Sequence, residues 1–352
     1  MDERVRHFLR ECGPVLCLDI GCGTQKALLA RSGQETANWP RWVLPSPARL
    51  VAQRIRELTL LKCGLWLYGG IMGDGFREAL RGHLAAGLPT CATQAAARAL
   101  DEDPEAVQAM GVTLAESCPA GCVPVHLEDF SPEVWESMLR LSGLPQPHMV
   151  LAAAQDHGSR PDAHGPPRME EWHALLAATP DPARWIYPQA PASLPRLCAL
   201  QEKTGGPVAD TTTSALLGAL CDAAVLERSF REGITIVNAG NEHTLAALVY
   251  RGQVCALYEH HTDRRELPHL LEDLRQLRLR WLPSEQVHAS GGHGTAFGEH
   301  CEAAGSFAPT FLLGARRSVL SGHGRDIAPY GDMPHAGCFG ILHGWAQTRP
   351  HA

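Results

Sequence analysis

The stretch Val15-Leu16-Cys17-Leu18-Asp19-Ile20-Gly21-Cys22-Gly23-Thr24-Gln25-Lys26-Ala27-Leu28-Leu29-Ala30-Arg31 decides the fold. Residues 15–20 are a short apolar run of strand length that carries one acid. Residues 21–24 turn the chain, and 26–31 return as the second strand of a hairpin. Glycines in such a turn let backbone N–H groups approach phosphate oxygens, and the hydroxyl of Thr24 adds a donor. Asp19, just before the turn, can hold a hydrated magnesium ion or orient a water. One glycine hairpin alone is usually only a hairpin, so the rest of the chain has to decide.

Outward from it, 42–44 reads as a third strand ended by Pro45-Ser46-Pro47. Residues 48–61 have helical spacing, with Leu50, Val51, Ile55 and Leu58 on one stripe. A short strand at 65–68 runs into the glycine-rich 69–75, and 76–86 is a helix. Residues 149–154 are a buried strand ending at Gln155-Asp156-His157-Gly158. Residues 159–168 read as a surface loop, and the Pro-rich run to about 207 as an irregular insertion or connection.

The second half repeats this order. A strand at 234–237 turns at Asn238-Ala239-Gly240-Asn241, and strands follow at 244–250 and 254–258. A leucine-rich helix spans 264–281, and a strand at 287–289 enters Ser290-Gly291-Gly292-His293-Gly294. Two matching halves, each with a phosphate-compatible turn, predict a cleft between two lobes. The expected division is 1–165, an irregular 166–209, and 210–352.

Composition excludes several classes. The chain of 352 residues is 45% apolar, ample for a core, and its net charge of −7 argues against a nucleic-acid partner. No apolar run approaches the roughly 18 residues of a membrane span. The opening residues carry no visible secretory signal, so a reducing, cytoplasmic setting without disulfides is expected for the 12 cysteines. Neither Cys17 with Cys22 nor Cys118 with Cys122 has the paired spacing of a structural zinc site.

The motifs now resemble those of the actin, hexokinase and heat-shock-chaperone ATPase superfamily. Residues 19–25 are similar to its first phosphate loop, 238–244 to its second, and 289–294 to its adenosine motif. More closely, the chain resembles a prokaryotic family within that superfamily, often labelled pyruvate formate-lyase activating protein. Val43-Leu44-Pro45-Ser46, Gln155-Asp156-His157-Gly158, Asn238 through Thr244, Glu259-His260-His261-Thr262 and Gly337-Cys338-Phe339-Gly340 carry that likeness. The resemblance implies an α/β fold of two duplicated ribonuclease-H-like lobes, the actin-like ATPase fold, with ATP and Mg2+ in the interlobe cleft. It implies nucleotide contacts from Gly21, Gly23, Thr24, Gln25, Asn238, Gly240, Asn241, His243, Thr244, Gly291 and Gly292, and magnesium held through water by Asp19. Two departures count. A radical-generating activase needs C-x3-C-x2-C, but Val123-Pro124-Val125 follows Cys118-x3-Cys122. The second loop opens with Asn238 where the superfamily usually has Asp, which removes a charge for the metal.

The segment 207–220 is similar to the one that carries the catalytic Asp in carbohydrate kinases of the superfamily. Asp210 is therefore the first candidate for general base, Asp156 its rival, and Asp19 the third acid of the cleft. Asp210 can equally cap a helix starting at Thr211. Of the 18 histidines, His157, His243, His260, His261 and His293 fall in turns or strand ends directed toward the cleft. A transition metal at His157 and His261 is one reading, and substrate hydrogen bonding is the preferred one. Strand alternation allows only one of His260 and His261 to face the cleft. The function expected is ATP-dependent phosphoryl transfer to an unidentified small molecule. The alternatives are an ATP-driven activator of a partner metalloenzyme or cofactor, and a degenerate ligand-binding member.

Overall fold

The computed structural model describes residues 2–158, 167–299 and 302–349. The opening hairpin is β1 (Val15–Ile20) with β2 (Thr24–Ala30), flanked by β3 (Arg41–Pro45). After helix α1 (Pro47–Leu60) come β4 (Gly64–Gly69), helix α2 (Arg77–Ala85), β5 (Thr90–Ala92), β6 (Thr113–Leu114) and β7 (Cys122–Leu127), then β8 (Met149–Ala154). Helices α3 (Pro167–Ala178) and α4 (Pro195–Thr204) precede β9 (Val208–Ala209) and α5 (Thr211–Leu220). The second half carries β10 (Ile234–Ala239), β11 (His243–Tyr250), β12 (Gln253–His261), α6 (Leu267–Arg278), α7 (Ser284–Ala289), β13 (Gly294–Phe297), β14 (Thr310–Leu313) and β15 (Arg325–Asp326), and ends in α8 (Ala336–Thr348).

Two sheets share one topology. The first runs β3-β2-β1-β8-β9, with β1 antiparallel to β2 and parallel to β8. The second runs β12-β11-β10-β14-β15 with the same directions, and β13 is added outside β12. Both central strands are buried almost throughout, as strands covered on both faces should be. The duplication is therefore real, but two of its strands differ from expectation. The strand at 65–68 is β4, which lies in a separate parallel sheet, β6-β5-β4-β7. That sheet and α1 and α2 form their own core, inserted between β3 and β8. Residues 287–289 are the end of helix α7, entered from Pro283, and the parallel strand of the second half is β14. Three residues of Val-His-Ala are too few for periodicity to tell helix from strand.

Two further expectations are corrected. The Pro-rich 166–209 is largely regular, because Pro167 and Pro195 open helices instead of breaking them, and β9 extends the first sheet. The boundary at 165 and most of the expected loop 159–168 lie outside the described residues, but Arg168 is buried. On α1 the buried stripe is Ala48, Val51, Ala52, Ile55 and Leu58, while Leu50 is 53% exposed.

The lobes are joined by crossed helices. Helix α5 follows the last strand of the first sheet, yet its Leu216 and Ala219 pack with Ile234 and Ile236 of the second. Helix α8 is the last described helix, yet its Phe339, Ile341 and Leu342 fill the first lobe beside Val15, Leu28 and Leu151. Where they cross, a Cβ on Gly340 would lie 1.9 Å from the Ser214 carbonyl oxygen, and one on Gly218 2.2 Å from that of Ala336. Only glycine lets the two backbones touch. Among the described residues, no helix is long and apolar enough to cross a membrane.

Candidate functional site

The two β-hairpin turns close with the same hydrogen bond. Gly21 donates to the Thr24 carbonyl at 3.1 Å, and Gly240 to the His243 carbonyl at 2.8 Å. The turns face each other, since a Cβ on Gly23 would lie 3.0 Å from Asn241 Nδ2. Between them is a cavity of about 380 Å3 lined by Asp19, Gly21, Gly23, Thr24, Asn238, Gly240, Asn241 and His243. Burial raises the Asp19 carboxyl above its ordinary value, and Lys26, its cross-strand neighbour on the cavity wall, opposes that shift. Thr262 braces the second turn, donating its hydroxyl to the Gly240 carbonyl and its N–H to that of Glu242.

Four of the expected nucleotide contacts stand elsewhere. Gln25 is buried, with Nε2 lacking a partner among the described residues, and Thr244 bonds the Thr262 hydroxyl. Gly291 and Gly292 follow α7 and do not line the cavity, because the strand they were expected to follow is a helix. The glycine turn on the cavity wall is instead Gly314-Ala315, after β14. Gly314 has φ +99°, and a Cβ there would lie 2.2 Å from the Ala239 carbonyl oxygen and 2.6 Å from Asn238 Oδ1. Gly337, near the start of α8, similarly makes room for Asp19. Lys26, Gly314 and Gly337 were not singled out from sequence for the cleft; only the pairing of β14 with β10 could have identified Gly314.

The two candidate bases differ sharply. Asp210 caps α5, taking the Thr212 N–H at 2.8 Å on Oδ1. It also takes Arg168 Nη2 at 3.1 Å on Oδ1, and Arg168 Nη1 at 2.9 Å and the Asp156 N–H at 3.1 Å on Oδ2. All four lone-pair positions of the carboxylate are filled. Burial would raise its pKa, but Arg168 and the two backbone donors hold it at about 2. Asp156 accepts only the Gly158 N–H at 2.8 Å and the Leu197 N–H at 3.0 Å among the described residues. Burial raises its pKa despite those bonds. Asp156 also borders a second cavity, of about 440 Å3, that shares Cys22 and Gln155 with the first. Asp74, Arg77, Arg98 and Arg196 give that cavity a charged wall.

Arg168 holds Asp210 and Glu259 together. Its Nε bonds Glu259 Oε2 and its Nη1 the Asp156 carbonyl, and Gln155 Nε2 adds a 2.9 Å bond to Glu259 Oε1. Beside this group are four of the five histidines. Ring centroids are 4.6 Å apart for His243 and His261, 5.0 Å for His243 and His293, and 5.1 Å for His157 and His293. Burial lowers His293 to about 3, so it is neutral near pH 7. His260 points the other way, bonding Ser290 Oγ and the His261 carbonyl.

Apart from Cys255, the described cysteines are free. Cys91 and Cys118 both neighbour Cys122, but among the described residues the only three metal-capable side chains whose donors all lie within 4.8 Å of one another are histidines.

Two sheets of one strand order, facing across a cleft floored by paired glycine hairpins, define a duplicated two-lobed α/β fold of the actin-like type. The chain belongs to the family described as "Putative pyruvate format-lyase activating enzyme (DUF1786)", whose model matches residues 72–319. No curated protein matches it in sequence. Among solved structures it is similar to an inorganic polyphosphate/ATP-glucomannokinase from Arthrobacter sp. strain KM, at 12% identity and TM-score 0.33 over 96% of this chain and 99% of that one. It is also similar to the ethanolamine utilization protein EutJ from Carboxydothermus hydrogenoformans, at 7% identity and TM-score 0.31 over 93% and 88%. A PilM–PilN type IV pilus biogenesis complex matches at 12% identity and TM-score 0.34 over 96% and 99%.

Proposed function

We propose that this chain binds ATP with Mg2+ between its two glycine turns and transfers the γ-phosphoryl group to a small acceptor in the adjoining charged cavity. The observation that carries this reading is Asp156, a buried acid with accepting capacity to spare among the described residues, on the wall of a cavity that adjoins the one between the turns. The residues present fit the nucleotide. Backbone N–H groups of opposed turns suit phosphate oxygens, Lys26 adds positive charge, and Gly314 keeps the wall open where a side chain would collide. Asp19 and Asn238 offer oxygen donors for a hydrated magnesium, which when bound neutralises charge on the phosphates.

In this mechanism Asp156 accepts the proton of the acceptor hydroxyl as the acceptor oxygen bonds to phosphorus and the bond to ADP breaks. A raised pKa suits that role better than the depressed pKa of Asp210. Asp210, with its acceptor positions filled, positions Arg168 and α5 instead. Asn238 favours the second reading, an ATP-driven activator whose turnover is slow, because an amide gives the metal no charge.

The test is a panel of small alcohols, sugars and carboxylates assayed for ADP release. Asp156→Asn should lower acceptor-dependent turnover by about 10²–10⁴-fold while Mg-ATP still raises the melting temperature. Turnover unchanged in Asp156→Asn would remove the assigned base. ATP binding with no acceptor-dependent turnover would favour the activator.

A further inference from the structure

We propose that His243, His261 and His293 hold a divalent transition metal ion, with His157 of the first lobe as the fourth ligand. Three neighbouring strands each present one imidazole at the same end of the second sheet. His243 opens β11 and is directly opposite His261 at the end of β12. His293 enters β13, its N–H bonded to the Glu259 carbonyl at 3.0 Å. The glycine turn before it has its use here, since a Cβ on Gly292 would lie 2.4 Å from the His260 ring. That close approach brings His293 over the other two.

One ligand nitrogen from each of the three lies within 4.8 Å of the others. Tetrahedral zinc, with bonds of about 2.0–2.1 Å, needs donors roughly 3.3 Å apart. Small side-chain rotations supply the difference. Nε2 of both His243 and His293 is buried with no hydrogen-bond partner among the described residues, which a metal would correct. His157 stands 5.1 Å from His293 and 5.7 Å from His243, ring centre to ring centre, on the open side.

The surrounding charge has the right sign. Arg168 is shared by two carboxylates, the partly buried Asp210 and the buried Glu259, leaving the group one negative charge in excess beside the imidazoles. Imidazole ligands select zinc, iron, nickel or copper, whereas magnesium and calcium prefer oxygen. With three ligands from one lobe and one from the other, the ion would tie the lobes together. His243 also borders the cavity between the glycine turns, so metal and nucleotide would share a wall.

The experiment uses full-length, tag-free protein, stripped with chelator and equilibrated with Zn2+ or Co2+. Wild type should retain about one ion per chain through gel filtration, and Co2+ should give the visible bands of a four-coordinate nitrogen site. His261→Gln and His293→Gln should each lose the ion, and His157→Gln should weaken binding by at least about tenfold. Circular dichroism and melting of the stripped proteins check folding. If His293→Gln does not fold, the half-buried His261 carries the test. No ion bound by wild type at micromolar Zn2+, undiminished binding in His261→Gln, or thiolate-to-cobalt charge-transfer bands would each overturn the site. Unchanged affinity in His157→Gln would overturn the bridge between lobes.

Discussion

Among the described residues Asp210 accepts four hydrogen bonds and Asp156 two, and under the proposed mechanism that difference favours Asp156, which the sequence ranked second, as the base. The cap on α5 was legible, because Asp before Thr-Thr-Thr is a strong helix start. Arg168 was not, because it comes from a Pro-rich stretch that reads as surface and packs in only through the tertiary fold. Removing one partner of a buried pair leaves the other charge uncompensated, at a cost of about 3–5 kcal/mol. Asp210→Asn should therefore destabilise the protein by about 3 kcal/mol in urea denaturation, although the amide keeps the shape and one acceptor. Asp156→Asn should stay within about 1 kcal/mol of wild type, since it removes a charge that burial already disfavours. A silent Asp210→Asn would mean that the carboxylate is less committed to Arg168 than its bonds imply.

At the scale of elements, hairpins read well and isolated short runs read badly. Both phosphate-compatible turns were legible because glycine, a preceding polar residue and two apolar strands occur together in 15–30 and again in 234–250. The third turn was misplaced, since Ser290-Gly291-Gly292-His293-Gly294 has the composition of a strand-end turn but follows a helix. Its true counterpart has a single Gly314 and no local signature, so only the sheet order reveals it. Gly23 provides the direct test of the opposed turns. It does not need a positive φ, so Val is compatible with the backbone, but its Cβ would press on Asn241 across the cleft. Gly23→Val should keep the melting temperature without nucleotide within a few degrees and abolish the rise produced by millimolar Mg-ATP. An undiminished rise would place the nucleotide somewhere other than between the turns.

Across the whole molecule, the two lobes exchange helices, so residues 338–346 of α8 are core to the first lobe and couple both halves to one stability. The duplication was legible in the order of strands, but the exchange was not. Gly337-Cys338-Phe339-Gly340 gives no local sign of which lobe it fills. His343 of α8 offers a way to measure that coupling. It is buried, with Nε2 2.8 Å from the Tyr330 hydroxyl, and burial lowers its pKa to about 4. The unfolded chain binds a proton near pH 6.5, the folded one only near 4, so the unfolded state binds more protons between these values. The contribution of neutral His343 is thus fully present above pH 6.5 and is lost as pH falls through 4. A shift from 6.5 to about 4 corresponds to roughly 3 kcal/mol at full protonation, of which about 2 kcal/mol is already lost at pH 5. His343→Gln keeps a polar partner for Tyr330 but cannot titrate. Relative to that variant, wild type should lose about 2 kcal/mol between pH 7 and pH 5 in urea denaturation, while the other histidines cancel in the difference. If α8 is as integral to the first lobe as its packing indicates, circular dichroism and tryptophan fluorescence will report the same loss. Parallel pH curves for the two proteins would show that His343 is reached by protons without unfolding, and that the C-terminal helix opens separately from the core it completes.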